Sequence, residues 1–164
     1  MKSENAVIGA MIMEPDCIDL VQRYIRDPSY FADPRLGNIF RIIVEMKDNG
    51  EQVDLATVVD KLPSSATNFI ELISNITDDL TTSAYVKDYA QVVAEGFARR
   101  KLKELARIDP LNRDKFKTPL DAITAFEQGL RDAESILQYS KDVTAEELVE
   151  EVISEIEEEA GGES

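Results

Sequence analysis

The sequence predicts an all-α fold: a small helical bundle followed by a long antiparallel helical hairpin and a C-terminal linker helix. Through most of the 164 residues, apolar side chains recur three, four or five positions apart, which places them on one side of an α-helix. Capping residues, prolines and glycines separate these stretches where helices would begin and end. No useful length of chain alternates apolar and polar residues between turn signals, as a half-buried strand would.

The bundle is predicted for residues 3–76. Its helices are expected at residues 3–13, 15–25, 34–49, 55–62 and 67–76. Asp33 and Asp54 are the expected N-caps of the third and fourth helices, because a short acidic side chain accepts a hydrogen bond from a free amide of the first turn. Gly50 follows the third helix, where glycine readily takes the left-handed conformation that ends many helices.

The hairpin is predicted for residues 84–138. Asp109-Pro110 ends its first helix, because the residue before a proline is pushed out of the α conformation. Thr118 is the expected N-cap of the second helix, with Pro119 at its first position. The short connection makes the two helices antiparallel neighbours.

Apolar surface remains on such a hairpin after its two helices have paired, and it must contact the rest of the chain or another copy of it. The residues predicted for hairpin packing and dimer contacts are Tyr89, Val93, Phe97, Leu102, Leu105, Ile123, Phe126 and Leu130. Gly96 and Gly129 lie inside the predicted helices, where glycine costs about 1 kcal/mol relative to alanine. Close approach of the two helices would explain both glycines.

The C-terminal part is predicted as a polar connection at residues 139–143, a linker helix at residues 144–160 and a tail at residues 161–164. Thr144 and Glu147 have the spacing of a capping box, and Gly161-Gly162 is expected to end the helix. The apolar stripe predicted to dock on a partner consists of Leu148, Val149, Val152, Ile153 and Ile156. An isolated helix of this length is marginal in water, so it should pack on a partner or, alternatively, on its own domain.

The net charge of −15 is concentrated at the C-terminus. Residues 142–164 contain ten acids and no Lys or Arg, and the remaining 141 residues carry 23 acids against 18 basic residues. This balance argues against a phosphate-binding surface, so little direct nucleic-acid binding is expected. Arg99-Arg100-Lys101 with Lys103 could form a weak basic patch for single-stranded DNA, but ordinary surface charge is the favoured interpretation.

No catalytic, cofactor-binding or metal-binding residues are predicted. The chain has no histidine, the commonest general base and metal ligand, and none of its seven glycines begins a G-x-x-x-x-G-K-[ST] phosphate-binding loop. The single Cys17 fits a reducing compartment, and no apolar run is long enough to span a membrane. A cytoplasmic protein without catalysis of its own is therefore expected.

Four segments together resemble the N-terminal domain of the DnaB family of replicative helicases. They are NAVIGAMIMEPD, DPRLGNIF, DNGEQVDLATVVDKL and YVKDYAQVVAEGFARRKL, and they cover roughly residues 3–105 in the order that the family has them. Residues 1–138 would then form the DnaB-type N-terminal domain. The connection at residues 62–69 is shorter than in the family and lacks its glycines, which leaves open whether the chain is of bacterial host, phage or plasmid origin.

The resemblance implies an assembly role. In such helicases the N-terminal domains form a collar, a trimer of dimers within a hexamer, in which hairpins pair between subunits. The linker helix packs on the ATPase domain of the neighbouring subunit, and primase and the helicase loader act through these surfaces. ATP and magnesium are expected only in a C-terminal motor domain outside this sequence, so the chain is expected to be a fragment of an ATP-dependent DNA helicase.

Two other functions stay open from the sequence. A free-standing homologue could bind and modulate a host helicase or loader. An acidic protein could instead occupy nucleic-acid-binding surfaces as a DNA mimic, which would require salt-sensitive binding to a basic partner through the acidic C-terminal part.

Overall fold

The computed structural model describes residues 2–63, 67–78, 83–138 and 145–162. Within these ranges the regular structure is helical and contains no strand, which confirms the predicted all-α fold. The α-helices are α1 (Lys2–Met13), α2 (Ile18–Tyr24), α3 (Pro34–Asp48), α4 (Leu55–Asp60), α5 (Thr67–Asp78), α6 (Val86–Ala106), α7 (Pro119–Ile136) and α8 (Ala145–Gly162). Among these helices, none is long and apolar enough to cross a membrane.

Helix α1 lies at the centre of the bundle. All residues from Ala6 to Ile12 are buried, and the helix packs against α2, α3, α5 and α6. A helix that is apolar on every side can only be stable when other helices surround it. One polar side chain shares this environment: Glu4 is fully buried, and its Oε1 atom accepts a hydrogen bond from the amide of Asp33 at 3.3 Å.

The predicted helix caps in the bundle are confirmed. The carboxylate of Asp33 accepts a hydrogen bond from the amide of Arg35 at 2.9 Å, and that of Asp54 accepts one from the amide of Thr57 at 2.9 Å. Gly50 has a φ of 71°, the left-handed conformation that favours glycine. Short side chains that bond to neighbouring amides thus set where α3 and α4 begin.

Several helix boundaries differ from the predicted ones by one to three residues, and the differences at α2 and α8 are the clearest. Residues Pro15–Cys17 form a 3-10 turn before α2 instead of the start of an α-helix. Helix α8 continues through Gly161 and Gly162, because glycine lowers helix stability without breaking the ladder of backbone hydrogen bonds. The predicted connection at residues 139–143, the Thr144 cap and residues 163–164 of the tail lie outside the described residues.

Helix α6 belongs to the bundle at its start and to the hairpin at its end. Its buried residues occur from Val86 to Ala98, where it packs against α1 and α2, and none occurs in its last two turns. With 21 residues it is about 31 Å long. The second half of α6 and most of α7 therefore extend away from the bundle core.

Contacts at the base of the hairpin fix its direction relative to the bundle. The Arg100 guanidinium donates a hydrogen bond to the carbonyl oxygen of Tyr30 at 2.7 Å, and the rings of Tyr30 and Phe97 lie 4.5 Å apart. On α7, the carbonyl oxygen of Ser135 accepts a hydrogen bond from the Arg26 guanidinium at 3.2 Å. Both hairpin helices are thus tied to the loops of the bundle.

Candidate interaction surfaces

The two hairpin helices approach closely at Gly129. A Cβ atom added there would lie 2.6 Å from the Cδ1 atom of Leu105, well inside van der Waals contact. This close approach at Gly129 agrees with the prediction that the glycine marks a helix–helix contact. Helix α7 begins with the predicted cap: Thr118 Oγ1 accepts from the Asp121 amide at 3.2 Å, and Asp121 accepts from the Thr118 amide at 3.1 Å.

The eight residues predicted for hairpin packing and dimer contacts separate into three groups. Val93 is buried in the core of the bundle, and Tyr89 and Phe97 are half-buried against that core. Over this part of its length α6 packs on the bundle, and the dimer contacts predicted for these three residues stay a prediction. Leu105 and Phe126 are half-buried within the hairpin region.

The remaining three residues, Leu102, Ile123 and Leu130, are exposed. Their side chains are 44%, 51% and 54% exposed. Leu102 lies one turn before Leu105, and Leu130 directly follows Gly129. Because Leu105 packs at Gly129, the exposed side chains of Leu102 and Leu130 lie at similar positions along the length of the hairpin.

An exposed apolar seam runs along α7 and ends at its C-cap residue, and we call Ile123, Leu130 and Leu137 the α7 seam. These residues are spaced seven apart, and Leu137 is 42% exposed. Seven residues are almost two helical turns, so the side chains follow one side of the helix, as in helices that pair side by side. Leu137 was not among the predicted site residues, although the seven-residue spacing was visible in the sequence.

The basic cluster of α6 is partly engaged within the chain. Arg100 donates a hydrogen bond to the Tyr30 carbonyl oxygen. The Nζ atom of Lys101 lies 3.5 Å from Oε2 of Glu104 and 5.3 Å from the centroid of the Phe97 ring. Arg99 and Lys103 are exposed. This distribution resembles ordinary helix surface charge more than an aromatic and basic platform for single-stranded DNA.

A cavity of about 470 Å³ lies at the tip of the hairpin, where the loop between the helices meets the start of α7. Its lining is mainly apolar, and it also includes Arg113, Lys117 and Thr118. Phe116, which is buried, and Ile123 of the α7 seam both contribute to it. The sequence analysis missed this cavity, because the loop carries no periodic pattern and the burial of Phe116 depends on how the loop folds.

Helix α8 exposes an apolar stripe. Val149, Val152, Ile153 and Ile156 are all exposed, whereas the side chain of Leu148 lies outside the described residues. The docking of this stripe on a partner stays a prediction. Acidic residues surround this stripe, and those described are also exposed. The alternative that α8 packs along its own domain would require these four side chains to be covered.

Comparison with known proteins gives one family and several relatives. A family model described as DnaB-like helicase N terminal domain matches residues 1–95. The replicative DNA helicase DnaB of Rhodothermus marinus is 34% identical over 106 residues, which are 61% of this chain and 11% of the relative. The replicative DNA helicase DnaB of Treponema pallidum (strain Nichols) is 26% identical over 112 residues, which are 66% of this chain and 25% of the relative. The chain thus spans a quarter or less of these relatives.

The fold also matches a solved structure. The crystal structure of the N-terminal domain of DnaB helicase from Mycobacterium tuberculosis superposes with a TM-score of 0.65 and 23% sequence identity. The match covers 80% of this chain and 95% of that structure. At this identity the likeness establishes the arrangement of helices, and it leaves the contacts of individual surface residues to be argued from this chain.

Proposed function

Because the chain belongs to the family of DnaB-like helicase N-terminal domains, we propose that it is the non-catalytic assembly domain of a hexameric replicative DNA helicase. In this proposal the domain joins subunits through its hairpin, connects to the motor through α8 and provides the surface on which primase or a helicase loader binds. ATP hydrolysis and DNA unwinding belong to a motor domain carried elsewhere in the full-length protein.

The exposed apolar face of the hairpin carries the proposal. Leu102 and the α7 seam place four large aliphatic side chains in solvent at 42–54% exposure, on a hairpin that hydrogen bonds tie to the bundle. Exposed apolar patches on soluble proteins commonly mark sites where a partner binds. A second copy of the same face supplies a matching surface, and a twofold arrangement buries both at once.

Helix α8 supports the connection to the motor. Its apolar stripe is exposed along one side, and an amphipathic helix gains its stability by laying that side into a groove of another protein. We assign this groove to the ATPase domain of the neighbouring subunit in the hexamer. The acidic residues beside the stripe would then select a groove with basic edges.

The pairing proposal is tested by replacing Ile123 and Leu130 together with aspartate. Two aspartates in the centre of an apolar interface would lose their hydration without gaining partners, which weakens association. The double variant should therefore be monomeric at concentrations where the unsubstituted chain is a dimer. Multi-angle light scattering gives the mass, and far-ultraviolet circular dichroism checks that the helix content is unchanged. Both residues are exposed in the single chain, so the fold itself should tolerate the change.

Val59→Asp provides the matched control. Val59 is 43% exposed on α4 of the bundle, so the control also places aspartate at an exposed aliphatic position, away from the hairpin. The control should keep the mass of the unsubstituted chain. A double variant that remains dimeric with full helix content would refute pairing through the hairpin face.

A further inference from the structure

The hairpin tip, by which we mean residues 107–120 and the cavity beside them, leaves apolar surface uncovered. Among the large apolar side chains that the structure describes, Leu111 and Leu120 are the most exposed, at 83% and 67%. Leu111 lines the cavity, and Leu120 follows directly after Pro119, which lines it as well. The cavity volume of about 470 Å³ lies within the range of pockets that bury most of a small ligand. The tip therefore offers a recess with an apolar rim.

Hydrogen bonds hold the loop of the tip in a defined shape. The Asp109 carboxylate accepts from the Leu111 amide at 2.9 Å, and the Asn112 side chain accepts from the Asp114 amide at 3.1 Å. The Phe116 amide donates to the Asn112 carbonyl oxygen at 2.8 Å, and the Phe116 ring is buried. A partner thus meets a preformed recess, and its binding is not opposed by the cost of ordering this loop.

The tip and the end of the helix before it are basic. Residues 99–119 carry eight basic and three acidic residues, a net charge of +5, on a chain whose net charge is −15. Arg113 and Lys117 line the cavity, and both side chains are exposed. Exposed charges of one sign attract and orient a partner of the opposite sign. An acidic partner with an apolar face therefore fits the tip.

Helix α8 has the complementary chemistry. Its 18 residues contain eight acids and no Lys or Arg. Residues 157–159 are exposed glutamates near its C-terminal end, where the helix dipole is also negative, so a basic surface placed there would relieve repulsion. The apolar stripe has the i, i+3, i+4 and i+7 spacing by which a helix anchors in an apolar groove, with exposed side chains at Val149, Val152, Ile153 and Ile156.

We propose that the hairpin tip is a docking site for α8 of a second copy of the chain. In this contact the apolar stripe of α8 covers the tip cavity with Leu111 and Leu120, and the acids beside the stripe lie near Arg113 and Lys117. The occupant is a second copy, because the described residues of a single chain leave both the stripe and the tip uncovered. Apolar burial supplies the affinity, and the exposed charges orient the helix.

This contact goes beyond the proposed function, because it joins two unlike surfaces. Hairpin pairing about a twofold axis uses one face twice and is complete with two copies. A contact of α8 with the tip of the next copy leaves one α8 and one tip open, so it can link further copies. The tip also competes with the motor for α8, since one stripe lies in one groove at a time.

A tryptophan at the tip reports on docking. The chain has no tryptophan, and Leu111 is exposed, so Leu111→Trp adds a single signal at the tip without disturbing the core. The acceptor protein carries this change together with Val152→Asp and Ile153→Asp, which disable its own α8. The donor is the unsubstituted chain, which is silent under excitation selective for tryptophan. Adding the donor should shift the emission of the acceptor to shorter wavelength, because α8 of the donor shields the indole from water.

Two donor variants isolate the contribution of α8. Ile153→Asp places a charge in the apolar stripe, so this donor should bind about tenfold to a hundredfold more weakly. Ser154→Asp is the matched control and should bind like the unsubstituted donor. Ser154 is exposed and lies about 100° around the helix from Ile153, on the side away from the stripe. Both variants keep the hairpin face, so hairpin pairing contributes equally to each of them.

The outcomes separate this contact from hairpin pairing. An equal emission shift with all three donors would mean that a surface other than α8 covers the tip, which overturns the proposal. No shift with any donor would also overturn it, and light scattering of the same mixtures shows independently whether hairpin pairing remains. If Leu111→Trp with α8 intact gives an emission at short wavelength that does not change on dilution, the occupant is α8 of the same chain, and the assignment to a second copy is wrong.

Salt and charge reversal test the role of the basic residues. Sodium chloride should weaken the shift caused by the donor, because screening reduces the attraction between exposed charges. Arg113→Glu with Lys117→Glu in the acceptor should weaken it at low salt as well. A shift that responds to neither change would contradict recognition by charge.

Discussion

Replacing Gly129 with alanine tests how closely the two hairpin helices pack. The change has two opposing effects on the free energy of unfolding. Alanine stabilises a helix interior by about 1 kcal/mol relative to glycine. The new Cβ atom, however, would lie 2.6 Å from the Leu105 Cδ1 atom, where carbon atoms normally stay about 3.5–4.0 Å apart.

The magnitude of the second effect follows from what must move. The overlapping atom is the end of a half-buried side chain, so Leu105 can retreat by about 1 Å, at the cost of leaving its preferred rotamer. Such a distortion costs roughly 0.5–1.5 kcal/mol. The two effects nearly cancel, and Gly129→Ala should change stability by less than about 0.5 kcal/mol.

A double-mutant cycle separates the two effects. In a Leu105→Ala background the overlap is absent, so Gly129→Ala should stabilise the chain by the full helix propensity of about 1 kcal/mol. Urea unfolding followed by circular dichroism measures all four proteins at one fixed concentration, because dimerisation also contributes to stability. A coupling energy near 1 kcal/mol is expected between the two positions.

Gly161 provides the control position. A Cβ atom added there meets nothing within 4 Å, so Gly161→Ala should show no coupling to Leu105→Ala. If Gly129→Ala gives the same stabilisation in both backgrounds, Leu105 does not pack on Gly129 and the described hairpin geometry is incorrect.

Two further predictions concern single side chains of the bundle. Asp33→Ala should lower stability by about 1 kcal/mol through loss of the α3 cap. The side-chain hydrogen bond from Arg35 lowers the pKa of Asp33, so its stabilisation is complete above the ordinary aspartate pKa of about 3.9 and is lost as pH falls through the lowered folded-state pKa. Urea unfolding at several pH values should show that the difference in free energy of unfolding between the unsubstituted chain and the variant becomes smaller only in that acidic range. A difference that stays constant throughout that range would contradict this role of Asp33. Burial, with the nearby Glu14 carboxylate, raises the pKa of Cys17 to about 11, so its reaction with iodoacetamide at pH 8 should be about tenfold slower than that of glutathione, because the smaller thiolate fraction is partly offset by a more nucleophilic thiolate. Unfolding in urea should restore the rate, and a folded-state rate close to that of glutathione would refute this environment.

Much of the fold was predictable because local interactions determine it. The caps at Asp33, Asp54 and Thr118 involve hydrogen bonds between residues two or three positions apart, so short sequence patterns contain all the required groups. Proline at the first position of α3 and α7 strengthens the same signals. Helix identity and hairpin topology follow from these patterns with little dependence on the rest of the chain.

The features that the sequence did not predict depend on packing between distant segments. Val93 and Ile123 are both apolar residues of amphipathic helices, and only the position of the bundle makes one a core residue and leaves the other exposed. Glu4 is a charged residue in the first turn of α1, where an exposed side chain is expected, yet it is fully buried and accepts a hydrogen bond from the Asp33 amide. The tip cavity likewise requires the fold of a loop without periodicity.

The mass of the unsubstituted chain in solution tests the central claim most directly, because the hairpin face is proposed to be an interface between copies. Light scattering across a dilution series should give a mass that rises with concentration from 18.4 kDa toward twice that value, or toward a higher even multiple if dimers associate further. A mass of 18.4 kDa at every soluble concentration, with the helical circular dichroism spectrum intact, would contradict the account.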